Sequence, residues 1–559
     1  MKFNNHFANL VHSMINTVLK VHRIFTKIKR LRPNKLVTNF NFHNRNLFCP
    51  NQNLVSRKPI ILMELNEMEA GHIAYSYVAN VLAEKEKAKI VTYKSSETQT
   101  FIQDIKFRLK QLTGYSHFGV YKAFGCSEFF QIKITKKQKL IASKIFNEIA
   151  PQLTSKFDIV NLTINDIWIG DLLYDTYLRK KTLPTIEMNS KEFLEHLLNT
   201  IELYVFWKEY FKNNDIRAIN VSHCVYNLAI PMRVAISQQI AAYQSSLSHI
   251  YRLDAKNYFA YNDFFYFREK FKDLSNEVQS LGVEKAKHQL ERRFSGEVGV
   301  NMSYSKKSAY GNMQEKRLIR QTTRKKILIA THCFFDSPHP YGKNLFPDCY
   351  EWLNFLGEMS KETDYDWYIK THPDFIPANK DIIEEFIEQN PKFVFLPPNA
   401  SHHQIIKEGI DVALTIYGTI GFEYAALGVP VINASLCNPH IAYNFNIHPK
   451  TIEEYKGLIL NLESLDFKID QQEVYQYYFM RHLYNTENIF FDNYAKEIEK
   501  LGGYKEQFSP EIYQSWLAQY TPEKHKTINN ALNKFISSGD FRMDNTHFGT
   551  EFLPEHIKE

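Results

Sequence analysis

At 559 residues the chain is too long for a single hydrophobic core and long enough for two. With 44% hydrophobic and 23% charged residues, 20 Gly and 20 Pro, it is a globular composition that excludes low complexity, and six cysteines without CxxC spacing argue against a zinc knuckle or dithiol site and fit a reducing compartment. The net charge of +7 is lodged at the start: eleven Lys or Arg and no acid precede Glu64, which leaves about −4 for the rest and excludes a protein that coats nucleic acid.

Residues 1–55 form a basic arm. Phe7, Leu10, Val11, Met14, Ile15, Val18, Val21, Phe25 and Ile28 recur at helical spacing, with basic residues gathered toward the end. Two readings of this helix stand side by side. Residues 2–32 lie on an anionic membrane leaflet, or the helix packs on the protein's own core; an organellar import signal is a weaker third. No run is long enough to cross a bilayer and no apolar stretch near the start resembles a signal peptide, so the expected location is cytoplasmic, with a peripheral contact at the inner face of the plasma membrane.

Residues 56–300 read as an α/β domain. "KPIILMELN" predicts a buried strand, "AGHIAYSYVANVLAEKEKA" a helix and "KIVTYKS" a second strand, which together form a βαβ unit and so a parallel sheet. "FDIVNLTI", a helical stretch from about 191 to 213, and "IRAINVSH" continue it. Residues 301–325 are polar, basic and aperiodic, and read as a linker. From 326 to 450 strands alternate with helices: "ILIATH", "WYIKTHP", "KFVFLPP", "DVALTIYG" and "PVINA", the pattern of a second doubly wound sheet. Residues 451–559 are mostly helical and are expected to pack back across both domains.

Open α/β sheets bind ligands beyond the carboxyl ends of their strands. Thr415, Gly418, Thr419 and Gly421 form a turn into a helix whose first amides would seat a phosphate, and Glu423, one turn in, would accept from ribose hydroxyls. His372 ends a neighbouring strand, with Lys370 on the same face by strand alternation. His332 leaves the first strand of this domain. In the N-terminal half, Asp171, Asp175 and Arg179 share a helix face, a spacing that ion pairing alone would also explain; the functional reading makes Asp171 a base or nucleophile facing the cleft. His223 ends a strand and, with His372, is a further catalytic candidate; Glu67 and His72 in the first strand-to-helix loop, with Asp175, Arg179 and Arg233, are expected on the acceptor side. No spacing supports a metal site, and no cofactor is expected.

"WYIKTHPDF" followed by "ASHHQIIKEGIDVALTIYGTIGFEYAALGVPVINA" resembles the nucleotide-binding half of bacterial capsule and surface polysaccharide biosynthesis glycosyltransferases. These are enzymes of the Kdo-transferase kind and, more distantly, CDP-glycerol polymerases of teichoic acid synthesis. The resemblance implies a GT-B-like fold, two Rossmann-like domains around a cleft, with a nucleotide sugar as donor and a glycan or lipid-linked glycan as acceptor, and no nucleic-acid partner. It implies that His372 and Thr419 contact the donor phosphate, that Glu423 contacts the ribose, and that an N-domain acid, Asp171, does the chemistry. Tyr417-Gly418-Thr419 departs from the paired hydroxyls of such turns and leaves the nucleotide open. A polyol-phosphate transferase and a non-catalytic assembly scaffold stand as the alternatives.

Overall fold

The computed structural model describes residues 34–49, 59–94, 101–114, 117–302, 307–311, 313–372, 378–485 and 489–549. The membrane reading of residues 2–32, and Pro373 of the His-Pro pair, lie outside them. The part of the arm that is described packs on the protein itself. Helix Lys35–Phe48, capped by Asn34, buries Phe40, which stacks on Tyr513 with ring centroids 4.2 Å apart.

The first sheet has six strands: β1 (Ile60–Glu64), β2 (Lys89–Lys94), β3 (Cys126–Gln131), β6 (Ile216–Val221), β7 (Ala241–Ser245) and β8 (Ile250–Leu253). A small hairpin, β4 (Thr163–Ile164) and β5 (Ile167–Trp168), stands apart from it. The order is β3-β2-β1-β6-β7-β8, parallel except for β8. The second sheet, β9 (Lys326–Ala330), β10 (Asp366–Lys370), β11 (Phe393–Phe395), β12 (Val412–Thr415) and β13 (Val431–Asn433), has the order β11-β10-β9-β12-β13 and is parallel throughout. Both sheets reverse direction at their first strand, the doubly wound arrangement that places ligands at the carboxyl edge. The expected α/β class with two Rossmann-like sheets is what the chain forms.

Burial explains why the strands were readable. β1 and β10 are buried at all five positions, as covered parallel strands must be, and so appear as unbroken apolar runs. β3, "CSEFFQ", is an edge strand exposed at Ser127 and Glu128, and carries no such signal.

Residues 301–325 are not a free tether. Ile319 is buried in the core of the second sheet, Tyr310 is buried against Glu423, and Leu318 and Ile319 donate backbone N–H bonds to Glu408. Beyond residue 451 the chain is helical, as expected. Helices Ile452–Leu460 and Gln471–Tyr478 pack on the second sheet's side, and Glu511–Gln519 and Pro522–Ser538 return to cover helix Glu69–Lys85 of the first. The backbone of Met543 then donates to Ile250 and that of Arg252 to Phe541, closing the tail onto β8.

Candidate functional site

At the carboxyl edge of the second sheet lies a cavity of about 560 Å³, lined by Lys370, His372, Thr415, Thr419, Glu423 and Arg293 among others. β10 ends in Lys370, whose ammonium is buried and donates to the carbonyls of Thr371 and Pro398 at 3.3 and 3.1 Å. Burial lowers its pKa to about 8, partly offset by Glu423. His372, the next residue but one, is exposed at the cavity. An anion entering here meets a cation that burial has stripped of water.

The turn after β12 is built around His332. Tyr417 N–H points at His332 Nε2 from 3.4 Å, and Thr415 Oγ1 lies 3.1 Å from the same nitrogen. The ring lies tilted against Tyr417 with centroids 4.2 Å apart, and burial pushes its pKa down to about 4, so His332 is a neutral acceptor that shapes the turn. Gly418 follows from this arrangement, because a Cβ there would stand 2.9 Å from Thr415 Oγ1 and 3.3 Å from His332.

Three expectations for this turn change. Helix Ile420–Ala426 is only seven residues long, Thr419 makes no side-chain cap, and the Gly421 and Phe422 amides already donate to Gly418 and Thr419 carbonyls. Gly421 is small because of packing: a Cβ would fall 2.4 Å from the buried His440 ring. Glu423 lines the cavity, but its Oε1 accepts from Arg293 Nε at 3.0 Å and its Oε2 from Tyr310 at 2.9 Å. Arg293, from the end of helix Asn276–Phe294, had no periodic or motif signal in the sequence.

A second cavity, of about 590 Å³, adjoins the first: Tyr417, Thr419 and Met302 line both. Its other walls come from the carboxyl edge of the first sheet (Asn66, Ser222, His223, Gln244), the β7–β8 turn (Ser246, Ser248, His249) and the C-terminal segment (Arg481, Arg542). Glu64, at the end of β1, accepts from the backbone N–H and the hydroxyl of Ser222 at 2.6 and 2.7 Å. With its proton given to Glu64, Ser222 Oγ accepts from His223 Nδ1–H at 2.8 Å. That order leaves the Nε2 lone pair of the exposed His223 as the basic position. Glu64 and Ser222 were not among the residues picked from the sequence; the strand-end positions of both, beside His223, were the only signal available.

Among the described residues lining this second cavity, none is Asp or Glu. Behind it, Arg542 donates to Asp263 Oδ2 at 2.5 Å and Arg481 to the Tyr261 carbonyl at 3.1 Å, so two guanidinium groups share one carboxylate. Burial, reinforced by these arginines, pushes His249 down to about 3 and keeps it neutral.

The N-terminal acids lie elsewhere. Asp171 is 1% exposed and both its oxygens are taken by Arg233, at 2.6 and 2.5 Å, with Arg233 also donating to the Trp168 carbonyl and lying over the Trp168, Tyr258 and Phe259 rings. Expected to face the cleft, this pair is instead a buried brace under helix Gly170–Lys181. Asp175 accepts from His339 at 2.6 Å and from Ser337, Tyr174 donates to Asp348 at 2.5 Å, and the exposed Arg179 approaches Asp336 at 3.8 Å. These are contacts between that helix and loops of the second sheet, so the helix is a seam. His72 is buried, bonded to Tyr513 and the Asn66 carbonyl and held near 3 by burial, while Glu67 is exposed outside both cavities. Both were expected at the acceptor; their neighbours Asn66 and Met68 line the cavity instead. Among the described residues, no group of three or more His, Cys, Asp or Glu is placed to hold a metal ion, and no helix is long and apolar enough to cross a membrane.

No family model and no curated protein matches the chain. It is similar to solved structures of glycosyltransferases and of UDP-N-acetylglucosamine 2-epimerases. The KpsC beta Kdo 2,4 transferase of Thermosulfurimonas dismutans is 11% identical, with 47% of this chain and 79% of that one covered and a TM-score of 0.29. The beta Kdo 2,7 transferase of the same organism's KpsC is 15% identical over 54% and 85%, with a TM-score of 0.29. A glycosyltransferase of Rickettsia africae is 12% identical over 83% and 100%, with a TM-score of 0.23. Likeness at this level assigns no role to any residue.

Proposed function

We propose that the protein is a glycosyltransferase that moves a sugar from a nucleotide sugar to a surface glycan. The observation that carries this is the meeting of two unlike cavities at Thr419 and Tyr417: one floored by a buried lysine, the other holding His223 with its hydroxyl and carboxylate relay. Donor diphosphate or monophosphate oxygens belong at Lys370, His372 and Thr419, where a cation and a hydroxyl take up the charge that develops on the leaving group. The acceptor hydroxyl belongs at His223. Its Nε2 takes the proton as the acceptor oxygen bonds to the anomeric carbon and the bond from that carbon to the donor phosphate breaks, while Glu64, through Ser222, holds the ring in the productive tautomer. Glu64 and His223 thus take the role expected of Asp171. The surplus guanidinium beside the second cavity suits an acceptor that carries negative charge.

The test is a thermal-shift screen of the purified protein against CMP, CDP, UDP, GDP and ADP. A ligand at a hundred times its Kd stabilises by about 2.7 kcal/mol. The expected result is a selective shift with one nucleotide that disappears in Lys370→Ala, followed by release of that nucleotide from its sugar donor when an acceptor is added. No shift with any of the five, or transfer of phosphorus into the product, would overturn the reading.

A further inference from the structure

A second basic region lies within the described residues, apart from both cavities. Between residues 101 and 144 the chain has nine Lys or Arg and two acids, an excess as large as the net charge of the whole chain. On helix Phe101–Thr113, Phe107 points inward and packs on Phe118 with ring centroids 5.1 Å apart. Ile105, Leu109 and Leu112 are 43%, 56% and 78% exposed. At 3.6 residues per turn these three fall within about 60° of one another and opposite Phe107. The helix therefore has one apolar face turned to the core and a second turned outward, with exposed Lys106, Arg108 and Lys110 around it.

Lys133, leaving β3, bonds Asp104 in the first turn of this helix at 3.0 Å. That contact brings the start of helix Lys136–Ile149 alongside, where Leu140 is 61% exposed among Lys136, Lys137 and Lys139. β2 and β3, the strands that precede these two helices in the chain, both end at the carboxyl edge of the first sheet, the edge that opens onto the second cavity. Leucines turned outward and more than half exposed, surrounded by lysines, are the composition of an interfacial surface.

We propose that this face docks the protein on an anionic lipid bilayer, the leucines entering the headgroup boundary and the lysines facing lipid phosphates. Charge decides against two other occupants. The chain's own residues 1–33 contain seven Lys or Arg and no acid, so charge does not favour them as the occupant. Nucleic acid would use the lysines and leave an exposed leucine stripe unaccounted for. The proposal does not rest on the transfer reading, because vesicle binding is measured without nucleotide.

The experiment is flotation of the full chain with vesicles of neutral phosphatidylcholine, or of phosphatidylcholine with about one-third phosphatidylglycerol. Leu109→Asp/Leu112→Asp and Lys136→Glu/Lys137→Glu/Lys139→Glu are compared with the wild type, and melting temperature and nucleotide-induced shift are recorded for each. The expected result is preference for anionic vesicles, reduced about ten-fold or more by either set, with melting and nucleotide response retained. Vesicle binding unchanged in both sets overturns the proposal. So does binding abolished only by reversing the charges of residues 27–32, which would assign the contact to the arm. A lower melting temperature with unchanged vesicle binding would show that the stripe is covered by the chain itself, and overturns it equally.

Discussion

Lys370 holds a charge in a place where charge is unfavourable, 3% exposed with two carbonyls for partners. Its pKa falls from 10.5 to about 8 on folding. Between those values the unfolded chain binds more protons than the folded one, so this residue's contribution to stability rises with pH across that window and is a penalty below it. The penalty is on the order of 3 kcal/mol at neutral pH. Lys370→Met should therefore raise the melting temperature near pH 7 while abolishing the nucleotide-induced shift; a variant that melts lower would show that the charge is not stored there. Nucleotide affinity should weaken as pH rises through about 8 in the wild type and stay level in Lys370→Arg, measured by titration calorimetry. At His223 the expectation is kinetic. His223→Ala should lower kcat by about 10²- to 10⁴-fold with nucleotide affinity unchanged, and Ser222→Ala should give a smaller loss with an altered pH profile. Equal loss of affinity and turnover would place His223 with the donor instead.

Helix Gly170–Lys181 shows what an element's sequence can and cannot tell. Its i,i+4 acids, Asp171 and Asp175, were legible as one face, and that is how they lie, but periodicity does not say whether a face meets solvent, a cleft or another sheet. Here it meets the hairpin and the second sheet's loops, and both acids are buried. Gly170 is fixed by the same packing, since a Cβ would stand 2.1 Å from the Ile159 carbonyl. Removing Asp171 leaves the Arg233 guanidinium buried without its counter-charge, and Asp171→Ala should lose on the order of 3–5 kcal/mol in denaturant unfolding. If Asp171 were a cleft-facing base, the variant would instead fold as the wild type and fail in turnover. The strands of the second sheet were legible for the opposite reason: covered parallel strands are apolar at every position, a signal that no partner can alter. β3, half exposed at the sheet edge, and the β7–β8 turn that supplies His249 gave none, because their roles depend on neighbours far along the chain.

Across the whole molecule the two sheets are joined by polar contacts that water would otherwise weaken: Asp175 to His339, Tyr174 to Asp348, and Lys156 to Glu351 at 2.5 Å. The Asp175 carboxylate raises the pKa of the buried His339 above its ordinary 6.5, although burial alone would lower it. A raised histidine stabilises fully below its unfolded pKa and loses that contribution as pH rises through the folded value. His339→Ala should therefore lower the melting temperature more at pH 6 than at pH 9, and the difference should shrink in an Asp175→Asn background. A pH-independent loss would make the contact one of packing alone.

The cavity at His223 draws Arg481 and Arg542 from the helical segment that folds back over both sheets. During synthesis, every strand has emerged well before those two side chains do. A nascent chain that has made every strand therefore still lacks one wall of the second cavity and part of the first sheet's own core, because Tyr513, Trp516, Leu532 and Phe535 share a buried cluster with Ile61, Met63 and Tyr77. The return of the tail ties the completion of that cavity to the completion of the first sheet, and a fragment cut short in the tail is expected to lose both together, read as a lower melting temperature.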